Sequence, residues 1–448
     1  MATSSHDLGR GPSGGGGRAG CPGGGAVGAV GPAVVCYARP VPRFEPFTGL
    51  RYRLDVLNRH DMSLDDVIAP PYDVIDARER ETLARRSPYN AVHVELPVDD
   101  PDRRLDRYQV ARRLLDTWRS EDVIEEDVEP SLYRYRMSYR DEHGGRRQTS
   151  GVIGALGLAV PGEGDVLPHE RTMPKPKGDR LQLLRESEAN LSPVWGLALA
   201  RGLAQISETA DPPIAAATDD EGVEHELWRI SAPGAIEQIS AAVTAAPVVI
   251  ADGHHRFETA LAYQEERRAA TGGVPGDYDL VMALVVDLAE DQLVVRPIHR
   301  LLAGLPDGFD LPETLGSRFY LSHLDHPDPR RLTGDAADEA ALALVTKGAT
   351  WLLRPRPETV AAAGLDVDSG LLDVALSDLP DHDVTYEPGW DRAVDAVEHG
   401  SAQAAVLLRP ATVAVIAEAA HRGLRMPPKT TFFHPKPRTG MVFRPVRG

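Results

Sequence analysis

Cysteine is almost missing from this chain. Cys21 and Cys36 are the two present, both in or beside an irregular N-terminal stretch, so neither a disulfide framework nor a cysteine-ligated zinc site can be built from them. No Gly-Lys pair occurs anywhere. That excludes a Walker A loop, and any nucleotide chemistry must use another cradle. No apolar run approaches the roughly 18 residues that span a bilayer, and no long run of Lys and Arg exists. With a net charge of -18 and a pI of about 5.3, the surface repels nucleic-acid phosphates and anionic lipid. Neither nucleic acid nor membrane is an expected partner. The zincin pattern H-E-x-x-H is absent as well, because Met173 follows His169-Glu170 and Arg229 follows His225-Glu226 at the position that needs the second histidine.

What is present is a long chain with an adequate core. Its 448 residues, 42% of them apolar, suit two or three domains. Residues 1–37 are rich in Gly, Pro and Ala and read as a disordered tail that cannot bury enough apolar surface to order itself. Two G-x-G-x-x-G matches there, starting at Gly15 and at Gly23, have no strand before them and no helix after them, and reflect composition alone. Arg10 and Arg18 precede a mildly apolar run, Ala26 to Cys36, but that run is broken by Gly28, Gly31 and Pro32. It fits a cytoplasmic tail better than a secretion signal. Residues 38–300 are expected to form the core domain with the phosphate-binding site, and 301–448 a C-terminal α/β domain whose last loop closes the site. There is no internal repeat.

Local patterns place the chemistry. Val67 to Ile75 reads as a strand entering a proline-fixed turn. Asp99-Asp100-Pro101 reads as a helix opening. Tyr133, Tyr135, Met137 and Tyr139 share one face of a strand that continues into a hairpin. A polar loop, Asp211 to Glu221, precedes an expected helix reaching Ile239. Val248 to Ile250 is a buried strand, Arg256 to Ala270 a helix, and Leu280–Leu288 and Gln292–Ile298 two strands, the second ending in His299-Arg300.

Four segments carry residue types suited to a reaction. In Asp252-Gly253-His254-His255-Arg256, a strand ends, a glycine allows a conformation closed to other residues, and a helix starts with its positive dipole end at the turn. His254, His255 and Arg256 add donors, so an anion gains from every component. The plainer alternative is a helix capped by Asp252. A metal held by Asp252, His254 and His255 is disfavoured, because adjacent histidines diverge. In Pro168-His169-Glu170, Glu170 is a candidate general base that His169 can orient, with Lys175, Lys177 and Arg180 beyond it to neutralise phosphoryl charge. A solvated charged loop is the alternative. His299 and Arg300 sit at an expected strand end, a frequent ligand position in α/β folds, or else form an ordinary rim. Lys429 and Lys436 flank Thr430, Thr431 and His434 in a proline-bounded loop that either closes over phosphate or docks a tail through Phe432 and Phe433.

The motifs occur in a recognisable order: Pro70-Pro71-Tyr72-Asp73-Val74-Ile75, Pro168-His169-Glu170-x-Thr172 with Asp179-Arg180, Ala189-Asn190-x-Ser192-Pro193, Ala251-Asp252-Gly253-His254-His255-Arg256, and Met426-Pro427-x-Lys429-Thr430-Thr431-x-Phe433-x-Pro435-Lys436. From about Phe44 to Val446 the chain resembles the bacterial and archaeal family known as domain of unknown function 1015. The Asp-Gly-His-x-Arg turn is also similar to the phosphate-binding motif of the ParB/sulfiredoxin superfamily, which includes free serine kinases. That resemblance implies a mixed α/β fold, with a ParB/sulfiredoxin-like nucleotide-binding core and an additional α/β domain. It implies ATP or ADP as cofactor, phosphate held by Asp252, Gly253, His254 and Arg256, and Glu170 as the base. Mg²⁺ would bridge the phosphates, with Asp252 or Asp73 helping to hold it. The expected activity is phosphoryl transfer to a small hydroxylated metabolite, free L-serine above others. A homodimer is compatible with it. Two alternatives stand beside it: a metal-dependent phosphoester hydrolase using His169, Glu170, His254 and His255, and a ParB-like regulatory protein that binds nucleotide without turnover.

Overall fold

The computed structural model describes residues 43–141, 144–159, 166–168, 177–324 and 342–447. These belong to one compact unit that runs from Arg39 to Gly448, and they form a mixed α/β structure.

Among the described residues, nine strands make the main sheet. Its spine is the antiparallel hairpin Leu132–Arg140 and Arg146–Gly157, which pairs Tyr133 with Ile153 and Tyr135 with Gly151. On one side of the hairpin lie Leu280–Asp287, Val194–Ala198, Val248–Asp252 and Val166–Pro168. On the other lie Glu224–Ile230 and Ala215–Thr218. Two neighbouring pairs are parallel: Leu280–Asp287 with Val194–Ala198, and Val248–Asp252 with Val166–Pro168. Successive strand residues face opposite ways. Val248 and Ile250 therefore join the cluster that contains Phe257 and Ala260 of helix His254–Thr271, while Val249 and Ala251 join the opposite cluster with Trp195 and Phe433. Both faces of the sheet are covered, which accounts for the near-continuous apolar runs in its central strands.

Among the described residues, a second, wholly antiparallel sheet of six strands begins at His299–Ala303, whose neighbours are Asp383–Glu387 and Ala404–Leu407. After helix Val413–His421 the chain does not end in this layer. The segment from Met426 to Val446 returns to the first. Phe432–His434 pairs with Val294–Arg296, Ala69 bridges Thr439, Leu50 bridges Phe443, and Arg444–Pro445 pairs with Ala189–Asn190.

Several local expectations need correction. Pro101 opens a turn rather than a helix. The helix runs Arg107–Ser120 from Asp106, whose carboxylate accepts the Tyr108 and Gln109 amides in a capping box. The stretch before Ile239 is not one helix. Ala215–Thr218 and Glu224–Ile230 form a hairpin, and the helix is Pro233–Thr244. Between Leu64 and Val74 there are short 3₁₀ turns and an isolated bridge at Ala69 instead of a strand. The run from Gln292 is also split. Val294–Arg296 is one strand, Pro297 interrupts, and His299 starts another, so His299 and Arg300 open a strand where the sequence suggested its end.

Candidate functional site

Strand Val248–Asp252 delivers the chain to Gly253, which takes the left-handed conformation (φ 86°, ψ 27°) and caps an 18-residue helix, His254–Thr271, with no side-chain cap hydrogen bond. Asp252 is therefore not the cap. A bulge between Ile250 and Asp252 turns its side chain out of the ladder. Its Oδ2 accepts from Arg256 Nη2 at 2.8 Å and its Oδ1 from Lys436 Nζ at 2.7 Å. The same ammonium donates to Asp73 Oδ2 at 3.1 Å. Two carboxylates and two cations thus close a compact cluster whose formal charges cancel, drawn from positions 73, 252, 256 and 436.

Electrostatics hold Asp252 and Lys436 ionised although both are largely withdrawn from solvent. Burial pushes the Asp252 carboxyl up, but Lys436 and Arg256 outweigh it and keep it well below the usual carboxylate range. Burial also works against the Lys436 ammonium, yet Asp252 and Asp73 raise it to about 12. Arg256 is committed on two sides, to Asp252 and to the Pro193 carbonyl at 2.5 Å, while its Nε has no hydrogen-bond partner among the described residues. It positions the turn as much as it offers a fork to a ligand.

The cluster lies in the wall of a pocket of about 390 Å³. Asp73, Asp252, Gly253, His254, His255, Arg256, Lys429 and Lys436 all line it. These eight positions come from three distant segments of the sequence. The remaining candidates lie elsewhere. Arg180 stacks over the Tyr72 ring at 4.5 Å, donates to the Glu95 carbonyl at 2.8 Å and pairs with Asp179, so it supports the pocket from behind. Arg300 is buried and donates to the carbonyls of Ile298, Lys429 and Pro428. His299 is buried too, and its Nδ1 accepts the Leu408 amide at 3.1 Å. Burial pushes this imidazole down to about 4, which keeps it neutral. Both act inside the protein. His169 and Glu170 lie outside the described residues, as do Lys175 and the Lys177 side chain. The strand just before them, Val166–Pro168, is described, and its last residue registers with Ile250, two positions before Asp252.

The structure also brings in residues that sequence reasoning left unassigned. Tyr72 lines the pocket, and burial pushes its phenol up to about 12. Glu95, on the short helix Val92–Glu95, is 2% exposed. Its Oε1 accepts from Ser192 Oγ at 3.0 Å, and its Oε2 has no hydrogen-bond partner among the described residues. Burial raises its pKa against the opposing pull of Arg180 and Arg256. With Arg256 and Thr259 it lines a second, small cavity of about 50 Å³, room for a few waters. A carboxyl inside the apolar run Val92-His93-Val94-Glu95-Leu96 was the available signal.

For a divalent cation the donor set is specific. Among the described residues no group of three His, Cys, Asp or Glu side chains converges to hold a metal ion. Two carboxylates do converge, those of Asp73 and Asp252 around the Lys436 ammonium. Mg²⁺ commonly takes one or two carboxylates and completes its shell with water and substrate phosphates. Both Asp252 oxygens and one of Asp73 are already engaged by Arg256 and Lys436, so an ion here would take most of its shell from water and substrate phosphates.

No curated protein matches the chain. Among solved structures, a conserved hypothetical protein from Pyrococcus furiosus is similar at 14% identity, covering 60% of this chain and 87% of its own, with a TM-score of 0.32. A free serine kinase in complex with AMP shares 15% identity over 60% of this chain and 83% of its own, at 0.33. SbnI with a C-terminal truncation, from Staphylococcus aureus, shares 11% over 65% and 86%, at 0.36. Likeness at this level assigns no activity. The family match is of another order, extending over residues 44–375: the chain belongs to the family described as protein of unknown function, DUF1015.

Proposed function

We propose that this protein is a nucleotide-dependent phosphotransferase acting on a small hydroxylated metabolite, with free L-serine the leading acceptor and ATP or ADP the donor. One observation carries the proposal: Asp73, the Asp252–Arg256 turn and Lys436 meet as a charge-balanced cluster in the wall of one pocket, at the glycine-capped start of a long helix. Partly burying the ionised Asp252, Arg256 and Lys436 is costly unless each is paired, and such arrangements concentrate at functional sites. The resemblance of the Asp-Gly-His-x-Arg turn to a phosphate-binding motif supports the same assignment, and with it a ParB/sulfiredoxin-like core spanning 38–300.

Each group then has a task. The helix start at Gly253 offers its positive end to the donor phosphates. His254, His255 and Lys429 stand around the same space and add donors. Lys436 fixes Asp252 and Asp73 in place. Mg²⁺, held by these carboxylates and the nucleotide, would supply neutralisation of the charge developing on the transferred group. Glu170 takes the acceptor hydroxyl proton as general base, and His169 orients it.

The test is turnover by the full chain with ATP or ADP, Mg²⁺ and an amino-acid panel, read as phosphorylated product. Glu170→Gln is expected to leave nucleotide binding intact and to cut turnover by roughly 10²–10⁴-fold, the scale of general-base catalysis. A variant that turns over at the parental rate removes Glu170 from the role. Nucleotide binding with no product from any acceptor would favour a regulatory protein instead.

A further inference from the structure

The charged cluster occupies one end of the pocket, and the far wall has a different chemistry. It is built from Tyr386, Pro388, Ile298, Pro428 and Phe432, with Arg392 beside them paired to Glu387. Tyr386 stands on strand Asp383–Glu387 at the edge of the second sheet. One face of its ring is covered by the Arg300 guanidinium, 4.7 Å from the centroid. Arg300 is itself held by the Ile298, Pro428 and Lys429 carbonyls. The backbone of the phosphate-side loop and the ring of the far wall are thereby locked to one buried arginine. Phe432 joins the two ends directly, since its ring lies 5.4 Å from Lys436 Nζ. Tyr386 and Phe432 are both only partly buried.

A pocket with ionised groups at one end and a braced aromatic wall at the other suits a ligand with an anionic head and a flat, apolar body. Its 390 Å³ falls within the roughly 300–1,000 Å³ typical of small-molecule clefts. We infer that the Tyr386–Phe432 wall is the nucleoside subsite, which takes the base of the nucleotide whose phosphates lie at Gly253. This rests on the phosphate assignment above and adds to it the residues that read the other half of the ligand. Tyr386 and Phe432 lie beyond the residues matched by the family model, which end at 375. Contact through ring faces is tolerant of base identity, so purines bind better than pyrimidines by area, and adenine and guanine differ little.

Calorimetric titration of the full chain with ADP and, separately, with inorganic pyrophosphate tests it. ADP is expected to bind at least tenfold tighter than pyrophosphate. Tyr386→Leu is expected to weaken ADP by about tenfold, the scale of one lost stacking contact, and to leave pyrophosphate unchanged within about twofold; Phe432→Leu, whose ring also meets Lys436, is expected to weaken ADP several-fold more than pyrophosphate. Equal affinities for the two ligands, or variants that weaken both alike, would overturn the nucleoside subsite and leave the anion site standing. If neither ligand binds the parental chain, the phosphate assignment falls and takes this one with it. Thermal unfolding reports whether each variant folds, and Phe432→Leu carries the test if Tyr386→Leu does not.

Discussion

Gly253 shows how much of the site depends on a single missing atom. At φ 86° a side chain would be strained by its own backbone, and a Cβ built there would lie 2.9 Å from Arg256 Nε and 3.0 Å from Arg256 Nη2. A flexible side chain could ordinarily give way, but this guanidinium is held by Asp252 and by the Pro193 carbonyl. Gly253→Ala is therefore expected to cost about 1–2 kcal/mol for the left-handed residue alone, with further loss as Arg256 leaves Asp252. Urea unfolding reads the first effect and phosphate titration the second. A variant with parental values in both would show that the turn does not need its glycine. This position was legible from the sequence, because a glycine between a strand and a helix marks a backbone reversal that residues with a Cβ resist. Glu95 was not. Its apolar neighbours Val92, Val94 and Leu96 hint at burial, but its role appears only when Ser192, Arg180 and Arg256 are folded around it.

At the scale of elements, the segment Phe432–Arg438 is an arm that carries Lys436 into the pocket, and it is fastened on both sides of that lysine. Arg438 pairs with Asp219 and donates its backbone amide to Tyr135 Oη at 3.1 Å. Tyr135 Oη bonds His225 Nδ1 at 2.7 Å, and His225 Nε2 bonds Asp219 at 2.8 Å. Those partners make Nε2 the donor and Nδ1 the acceptor. On the other side, His434 packs edge-on against Tyr139 at 5.5 Å, and burial pushes its pKa down to about 4, as it does for His299. The unfolded chain binds a proton at each of these imidazoles below about pH 6.5, while the folded chain resists until about 4. Stability therefore falls as pH drops through that window, by on the order of 3 kcal/mol per histidine when complete. Unfolding free energies measured between pH 7 and 4.5 should show this slope. A flat profile would mean that neither histidine is buried neutral. The sequence disclosed the arm as a Pro-bounded, Lys-bearing motif and the site helix by its apolar spacing. It misplaced His299 and Arg300 because Pro297 splits one apolar run into two strands of different sheets. It missed the Ala215–Ile230 hairpin because its second strand, Glu224–Ile230, is fixed by pairing with Leu132–Ser138, an interaction nearly a hundred positions away.

At the scale of the whole molecule, the return of the chain from the second sheet to the first makes site and fold inseparable. The last twenty or so residues touch Leu50, Ala69, Asp73, Ala189, Asp219 and Asp252, positions scattered over most of the sequence. They also bury Met426, Phe433, Met441, Val442, Phe443 and Val446. At about 1.5–3 kcal/mol for each large apolar side chain, the gross contribution is on the order of 10 kcal/mol, comparable to the net stability of a typical domain. Part of that offsets the entropy of ordering the arm itself, which a shortened chain would not lose. The shortened chain would instead keep Asp219 without Arg438 and Asp252 with Arg256 but without Lys436, and leave the Tyr52 and Trp195 rings, which pack against Phe443 and Phe433, uncovered. A chain ending at Arg425 is therefore expected to lose cooperative unfolding altogether, beyond any loss of ligand binding. Near-ultraviolet circular dichroism and urea titration of that truncation would read this directly. A parental midpoint would show that the arm is an accessory closing over an already stable body, and that Lys436 could be removed from the site without cost to the fold.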